Sequence, residues 1–322
     1  MENKDLVSVL DSLANSLHHS GSLQQVYLDS LQEMDHSDTI GPDVSVSQLR
    51  ISEGRLPRFL QQAGIRSMTL NDIDNIDKSL ATVSIMAQDI QGSAGSFFRN
   101  ASLASHLRSI FKHCRTIAFT DWALFANASD SWDALLTEVI KPLHTRDMEF
   151  IFYLGNVSSI PVFLVDEMLD IMGDFSRYGR VTFSLDQQEM VKLWESLNGV
   201  KSAADDSWPF DYEARCMSLF NTMNVHRMLV YASNGVSLFM KEQRFNLSRQ
   251  VLASHIENGA HARNDFINGY CMGLSLGLDI ALCIALGVVF YAVKGEKNMY
   301  PNREMLLNYI RSWREQPGSV SS

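Results

Sequence analysis

The chain has 322 residues, with 27 Lys+Arg against 37 Asp+Glu for a formal net charge of −10. An acidic balance with no basic stripe repels phosphodiester backbones and excludes a nucleic-acid-binding protein. With 46% hydrophobic and 20% charged residues, the composition is neither disordered nor fibrous, and it suits a chain that buries a large core.

Residues 1–20 mix Glu2, Lys4, Asp5 and Asp11 with scattered apolar side chains, which is not the continuous apolar core of a signal peptide. Periodicity predicts a helix over 4–17, a strand over 25–31, and a helix over 56–63 that stops at Gly64. Strands follow at 65–70 and 81–88, the second amphipathic and suited to a sheet edge. From there short apolar runs alternate with helical segments. Strands are expected at 115–119, 150–154, 181–185 and 228–232. Helices are expected at 132–143 behind Asp130 or Ser131, at 162–178 after Pro161, and at 187–197. Parallel strands need crossover connections, so this alternation implies a mostly parallel sheet covered on both faces.

Residues 272–293 are apolar over nearly the length that spans a bilayer. Asp279 and the glycines Gly273, Gly277 and Gly287 interrupt the run, so it reads as two buried helices meeting near Asp279, with no membrane span. Cys114, Cys216, Cys271 and Cys283 show no CxxC pair and no zinc-ligand spacing, so neither a metal site nor a disulfide framework is expected. Reduced thiols then point to the cytoplasm. His18, His19, His36, His106 and His113 show no pairing that suggests a metal. No P-loop or dinucleotide glycine fingerprint is present.

Four motifs follow one another in order and spacing: Asp121-Trp122, Asp130-Ser131-Trp132, Tyr178-Gly179-Arg180 leading into Val181, and Asp186-Gln187-Gln188-Glu189. Together they resemble the middle section of a subgroup of the PfkB (ribokinase-like) carbohydrate kinases. Further on, Asp265-Phe266-Ile267-Asn268-Gly269-Tyr270-Cys271-Met272-Gly273-Leu274 resembles the helix after that family's Gly-Ala-Gly-Asp motif. The likeness extends over residues 25–312, and its second half is the specific part. It implies an α/β fold: a ribokinase-like three-layer sandwich, with a mostly parallel central sheet, helices on both faces and room for a reduced β lid. One domain over 1–317 is expected, with 22–100 as a divergent half carrying lid remnants, 101–317 as the better matched core, and 318–322 as a frayed tail.

Phosphoryl transfer to a sugar hydroxyl needs a base near that hydroxyl and donors for charge on the phosphate oxygens. The resemblance assigns these tasks to the Asp of Gly-Ala-Gly-Asp and to backbone N–H groups freed by its glycines. Here the stretch is Gly259-Ala260-His261-Ala262-Arg263-Asn264-Asp265-Phe266. Anchored on Phe266 and Gly269, the catalytic position falls on Asn264, whose amide cannot accept the proton. His261, Ala262 and Arg263 replace the glycines and crowd the anion hole. A shifted alignment makes Asp265 the base, with Gly259 and Ala260 as the remnant of the turn. The alternative for Asn264 or Asp265 is a helix-capping role.

The remaining family sites are altered as well. On the sugar side Gly54 alone survives where the family has its glycines, with Ser52 before it, and Asp29 or Asp35 is a candidate for the acid that grips sugar hydroxyls, a surface acid being the other reading of both. On the magnesium and phosphate side, Asp186 and Glu189 nearly match Asn-x-x-Glu, although Glu189 also reads as an exposed first-turn carboxylate favoured by the helix dipole. On the nucleotide side, Asn234 and Gly235 match a turn that a hairpin explains equally well.

Three sites depart from the pattern while strands and helices persist. The favoured expectation is a ribokinase-like protein that has lost phosphotransfer and binds a protein partner, a second copy of itself or a small sugar-like ligand. The alternative is an active sugar or nucleoside kinase using ATP and magnesium through Asp265 and Glu189. An unrelated α/β protein of accidental likeness is the third reading.

Overall fold

The computed structural model describes residues 3–19, 24–28, 65–69, 80–86, 99, 101–112, 116–120, 122–124, 128–155, 157, 158, 160–199, 212–232, 235–248, 262–297 and 301–315. The chain divides into two compact units. One comprises Gln24–Met68 and Lys78–Met228, the other Met1–Leu23, Thr69–Asp77 and Leu229–Ser322.

The first unit is built on β1 (Gln24–Leu28), β2 (Ile65–Thr69), β3 (Leu80–Met86), β4 (Thr116–Thr120), β5 (Met148–Tyr153) and β6 (Gly179–Asp186), side by side in the order β2-β1-β3-β4-β5-β6. The pairs β1–β3, β3–β4, β4–β5 and β5–β6 are all parallel, as the alternation of strands and helices implies. Strand β3 is not the edge expected from its amphipathic pattern. It lies between β1 and β4, and the edge position belongs to β2. Alternation alone reports two unlike faces, not how many neighbours a strand has.

All six residues of β5 are buried. Successive side chains on a strand point to opposite faces, so both faces of the sheet are covered here. Among the described residues the unit also holds helices α2 (Ala101–Phe111), α3 (Ala128–Leu135), α4 (Val162–Phe175), α5 (Gln187–Asn198) and α6 (Tyr212–Thr222). On one side an aromatic cluster fills the space between β4, β5, α3 and α4. Phe119 stacks on Phe152 at 4.3 Å, while Trp132 and Phe175 meet Phe152 edge-on at 4.8 and 5.2 Å. Each such ring pair adds about 0.5–1.5 kcal/mol beyond its buried area.

Helix ends follow local chemistry. Helix α4 starts directly after Pro161, as expected, since a proline there sacrifices no helical hydrogen bond. Helix α5 ends at Gly199, whose φ of 63° is left-handed. The helix expected over 132–143 is instead three pieces: α3, a π-turn at Leu136–Ile140, and a 3-10 turn at Lys141–Leu143. Pro142 cannot donate to an α-helical ladder, and His144 at φ 54° ends the run.

The second unit contains α1 (Asn3–His19), most of β7 (Arg227–Ala232), β8 (Gly235–Met240), β9 (Arg244–Ser248), α7 (Ala262–Ser275), α8 (Ile280–Lys297) and α9 (Arg303–Glu315). Strands β8 and β9 form an antiparallel hairpin. The apolar run over 272–293 is indeed broken. Helix α7 ends at Ser275, Gly277 turns with φ 70°, and α8 begins right after Asp279, whose carbonyl accepts from the Cys283 N–H. Among the described residues no helix is long and apolar enough to cross a membrane.

Helices α7 and α8 pack closely because glycines remove side chains at their contact. A Cβ on Gly269 would lie 2.6 Å from the Leu286 carbonyl oxygen, and one on Gly273 would lie 2.8 Å from the Cys283 Cα. On the facing helix, Gly287 leaves room for the Phe266 ring. Leu10, Leu13 and Leu17 of α1 and Leu306 and Ile310 of α9 are buried in the same unit.

Candidate functional site

In the first unit, Asp186 ends β6 and precedes α5. Its Oδ1 accepts from the Glu189 N–H at 2.7 Å, and Glu189 Oε2 accepts from the Asp186 N–H at 2.8 Å. This is a capping box, which satisfies backbone donors that the first helical turn leaves without partners. Glu189 is 7% exposed, so the solvent-exposed first-turn carboxylate expected from the sequence is corrected to a buried one. It folds back because its partner is the backbone of Asp186, not water.

Near this corner, burial pushes the Tyr212 hydroxyl well above its ordinary range, with Cys216 and then Asp186 adding to the shift. Burial also raises the Cys216 thiol to about 12. Both groups therefore stay protonated at neutral pH, and Cys216 is no nucleophile.

In the second unit, Asp265 stands in the first turn of α7 and is 9% exposed. Its Oδ1 accepts from Lys294 Nζ of α8 at 2.8 Å. The helix begins at Ala262, so Arg263 and Asn264 lie inside its first turn; their side chains, like Gly259, Ala260 and His261, are outside the described residues. The anchors of the family resemblance, Phe266 and Gly269, are packing residues. Phe266 is fully buried against Gly287, and Gly269 admits the backbone of α8.

Of the other candidates, Gly235 opens β8 after two intervening residues from the end of β7, and Asn234 is outside the described residues. Asp29, Asp35, Ser52 and Gly54 also fall outside them, as does most of the segment expected to hold lid remnants. The Trp122 and Asp130-x-Trp132 motifs have structural partners. Trp122 Nε1 donates to Ser129 Oγ at 3.0 Å, Asp130 pairs with Arg99 at 2.6 Å, and the Trp132 ring lies in the aromatic cluster.

Two features escape the sequence reading. Glu149, 2% exposed in β5, accepts from Arg180 Nε at 2.7 Å and from Arg227 Nη1 at 2.8 Å. A lone Glu within the run Met148–Tyr153 was the available signal, because a carboxylate in an all-apolar strand needs cationic partners. All three residues sit at the amino ends of their strands, whereas ligands of open parallel sheets bind outside the carboxyl ends. The second feature is a groove of about 480 Å³ between α3 and α4, lined by Asp133, Asp166, Glu167, Asp170 and the exposed Phe163. Its single-signed charge opposes nucleotide phosphates.

The sequence candidates thus resolve into two pairs, Asp186 with Glu189 and Asp265 with Lys294, held in different units. Among the described residues no set of three or more His, Cys, Asp or Glu side chains gathers to hold a metal ion. The capping box engages one oxygen of Asp186 and one of Glu189 with backbone N–H groups.

No protein-family model and no curated protein matches the chain. Among solved structures, it is similar to ribokinase from Arabidopsis thaliana complexed with ribose and ATP, with a TM-score of 0.46 and 14% identity over 63% of this chain and 58% of that one. Ribokinase from Thermotoga maritima gives 0.46 and 12% over 63% and 59%. Adenosine kinase from Sinorhizobium meliloti gives 0.44 and 17% over 64% and 56%. These are kinases of the kind that the motifs resemble. The chain spans less than two thirds of the length of each, and a likeness of this degree assigns it neither activity nor ligand.

Proposed function

We propose that the chain is a ribokinase-like protein that has given up phosphotransfer and acts as a binding protein in the cytoplasm. The observation that carries this reading is the engagement of Asp265. A general base must present its carboxylate to the hydroxyl it deprotonates. Asp265 is 9% exposed and already accepts from Lys294 at 2.8 Å. Asp186 and Glu189, the residues that would organise magnesium and phosphate, cap α5. Asn264, at the aligned catalytic position, has no carboxylate to offer. The scaffold persists around these positions, which fits selection for binding a protein partner, a second copy or a small sugar-like ligand.

Titration calorimetry with ATP and ADP in the presence of magnesium tests the reading. No heat of binding is expected up to millimolar nucleotide, and no phosphoryl transfer to ribose or adenosine. Micromolar nucleotide binding together with turnover that an Asp265→Asn substitution abolishes would overturn it and establish the active kinase instead.

A further inference from the structure

A second titratable site lies at the amino edge of the sheet in the first unit, at the opposite end of β6 from Asp186. His226 immediately precedes β7, and it engages both the backbone N–H and the carbonyl of Val181 in β6. The His226 N–H donates to the Val181 carbonyl at 3.1 Å, and the Val181 N–H donates to His226 Nδ1 at 3.2 Å. An imidazole nitrogen thus takes the place of the backbone carbonyl that a regular ladder would supply. It can do so only when Nδ1 carries no proton, that is, in the neutral tautomer protonated at Nε2.

The surroundings favour that neutral state. Arg227 of β7 and Arg180 of β6 are cationic neighbours of the ring, and among the described residues Glu149 of β5 is the acid that acts on it. Glu149 is already committed to both arginines. Desolvation of the ring and then the charge on Arg227 hold the His226 pKa below its ordinary value of 6.5, with Glu149 opposing and Arg180 assisting. The residue is nevertheless solvent-exposed, so a proton from water reaches it without prior unfolding.

We propose that His226 is an acid-sensitive latch: the neutral ring clasps the Val181 amide, and protonation at Nδ1 turns the acceptor into a donor and releases it. The Val181 N–H then faces another N–H, while the new imidazolium adds a third cation beside Arg180 and Arg227. The structure opens locally around Val181 and His226 on acidification. This device stands whether or not the protein binds nucleotide.

Amide exchange of Val181, followed by NMR on the intact protein and corrected for intrinsic rates, reads the latch directly. Protection is expected to fall about tenfold as the pH drops from about 7.5 to about 5, the loss expected for one hydrogen bond. The amides of Phe183 and Ile151 should show no such step. His226→Asn keeps an oxygen near the Nδ1 position and does not titrate, so protection of Val181 should persist and become independent of pH. His226→Leu should lack it throughout. A pH step in Val181 protection that survives in His226→Asn, or no step in the wild-type protein, overturns the proposal.

Discussion

Replacing Gly269 with alanine sets two effects of opposite sign against each other. Alanine is the better helix former, and in the middle of α7 it should add about 1 kcal/mol over glycine. Its methyl, however, would sit 2.6 Å from the Leu286 carbonyl oxygen, 2.6 Å from the Phe290 Cβ and 2.8 Å from the Gly287 Cα. All three lie inside the 3.4 Å at which ordinary contact begins, and two of the three are backbone atoms that cannot rotate away. Overpacking of this severity costs about 3 kcal/mol, the upper end of the usual range. The net expectation is a loss of about 2 kcal/mol once the propensity gain is subtracted. Gly173, in the last turn of α4, is the control. A Cβ there meets only Asn224 side-chain atoms at 3.6 and 3.7 Å, so Gly173→Ala should stabilise by about 0.5–1 kcal/mol. Urea unfolding of both variants beside the wild-type protein measures the difference. If Gly269→Ala matches Gly173→Ala in sign, helix propensity governs both sites and the close approach of α7 to α8 is wrong.

The remaining predictions concern charge and capping. Glu149→Leu should cost about 3 kcal/mol, because it removes the buried carboxylate that Arg227, with 12% of its side chain exposed, donates to. Arg180→Met should cost no more than about 1 kcal/mol, since that side chain is 51% exposed and its charge is screened by water. Equal losses in chemical denaturation would contradict this ordering. Asp186→Ala should lower stability by about 1 kcal/mol, while Asp186→Asn, which keeps a cap acceptor, should recover most of it; no recovery in thermal unfolding would mean the capping box is not what holds the start of α5. For His226 the sign follows from linkage. The folded state keeps the ring neutral below 6.5, so the unfolded chain binds the extra proton. The contribution of the group is fully present above 6.5 and is lost as the pH falls toward the lowered folded value. A denaturation midpoint with the same pH dependence in His226→Asn as in the wild-type protein would contradict that assignment.

Much of the fold was legible because it is written in neighbours a few residues apart. The strands at β4 to β7 and the start of α4 after Pro161 follow from apolar runs and backbone chemistry at single positions. So does the break in the apolar run at Asp279. The resemblance around Phe266, Gly269 and Gly273 was legible too, and the structure adds that these residues mark a tight helix contact. Likewise the Asp186-x-x-Glu189 pattern resembles a fragment of a kinase motif and is also the signature of a capping box, whose two hydrogen bonds are formed.

What the sequence by itself determined is therefore the alternation of parallel strands and helices, the approximate bounds of β4 to β7, and that His261-Ala262-Arg263-Asn264 stands where the resembled family has Gly-Ala-Gly-Asp. Only the tertiary structure decided where the remaining charges went. Asp265 meets Lys294 29 residues away, Val181 meets His226 45 residues away, and Glu149 meets Arg227 78 residues away. Periodicity and capping act within a turn of helix or a pair of strand residues. The partners of a buried charge depend instead on which strands lie side by side and how far the packed helices can approach, and those are set by the whole chain at once.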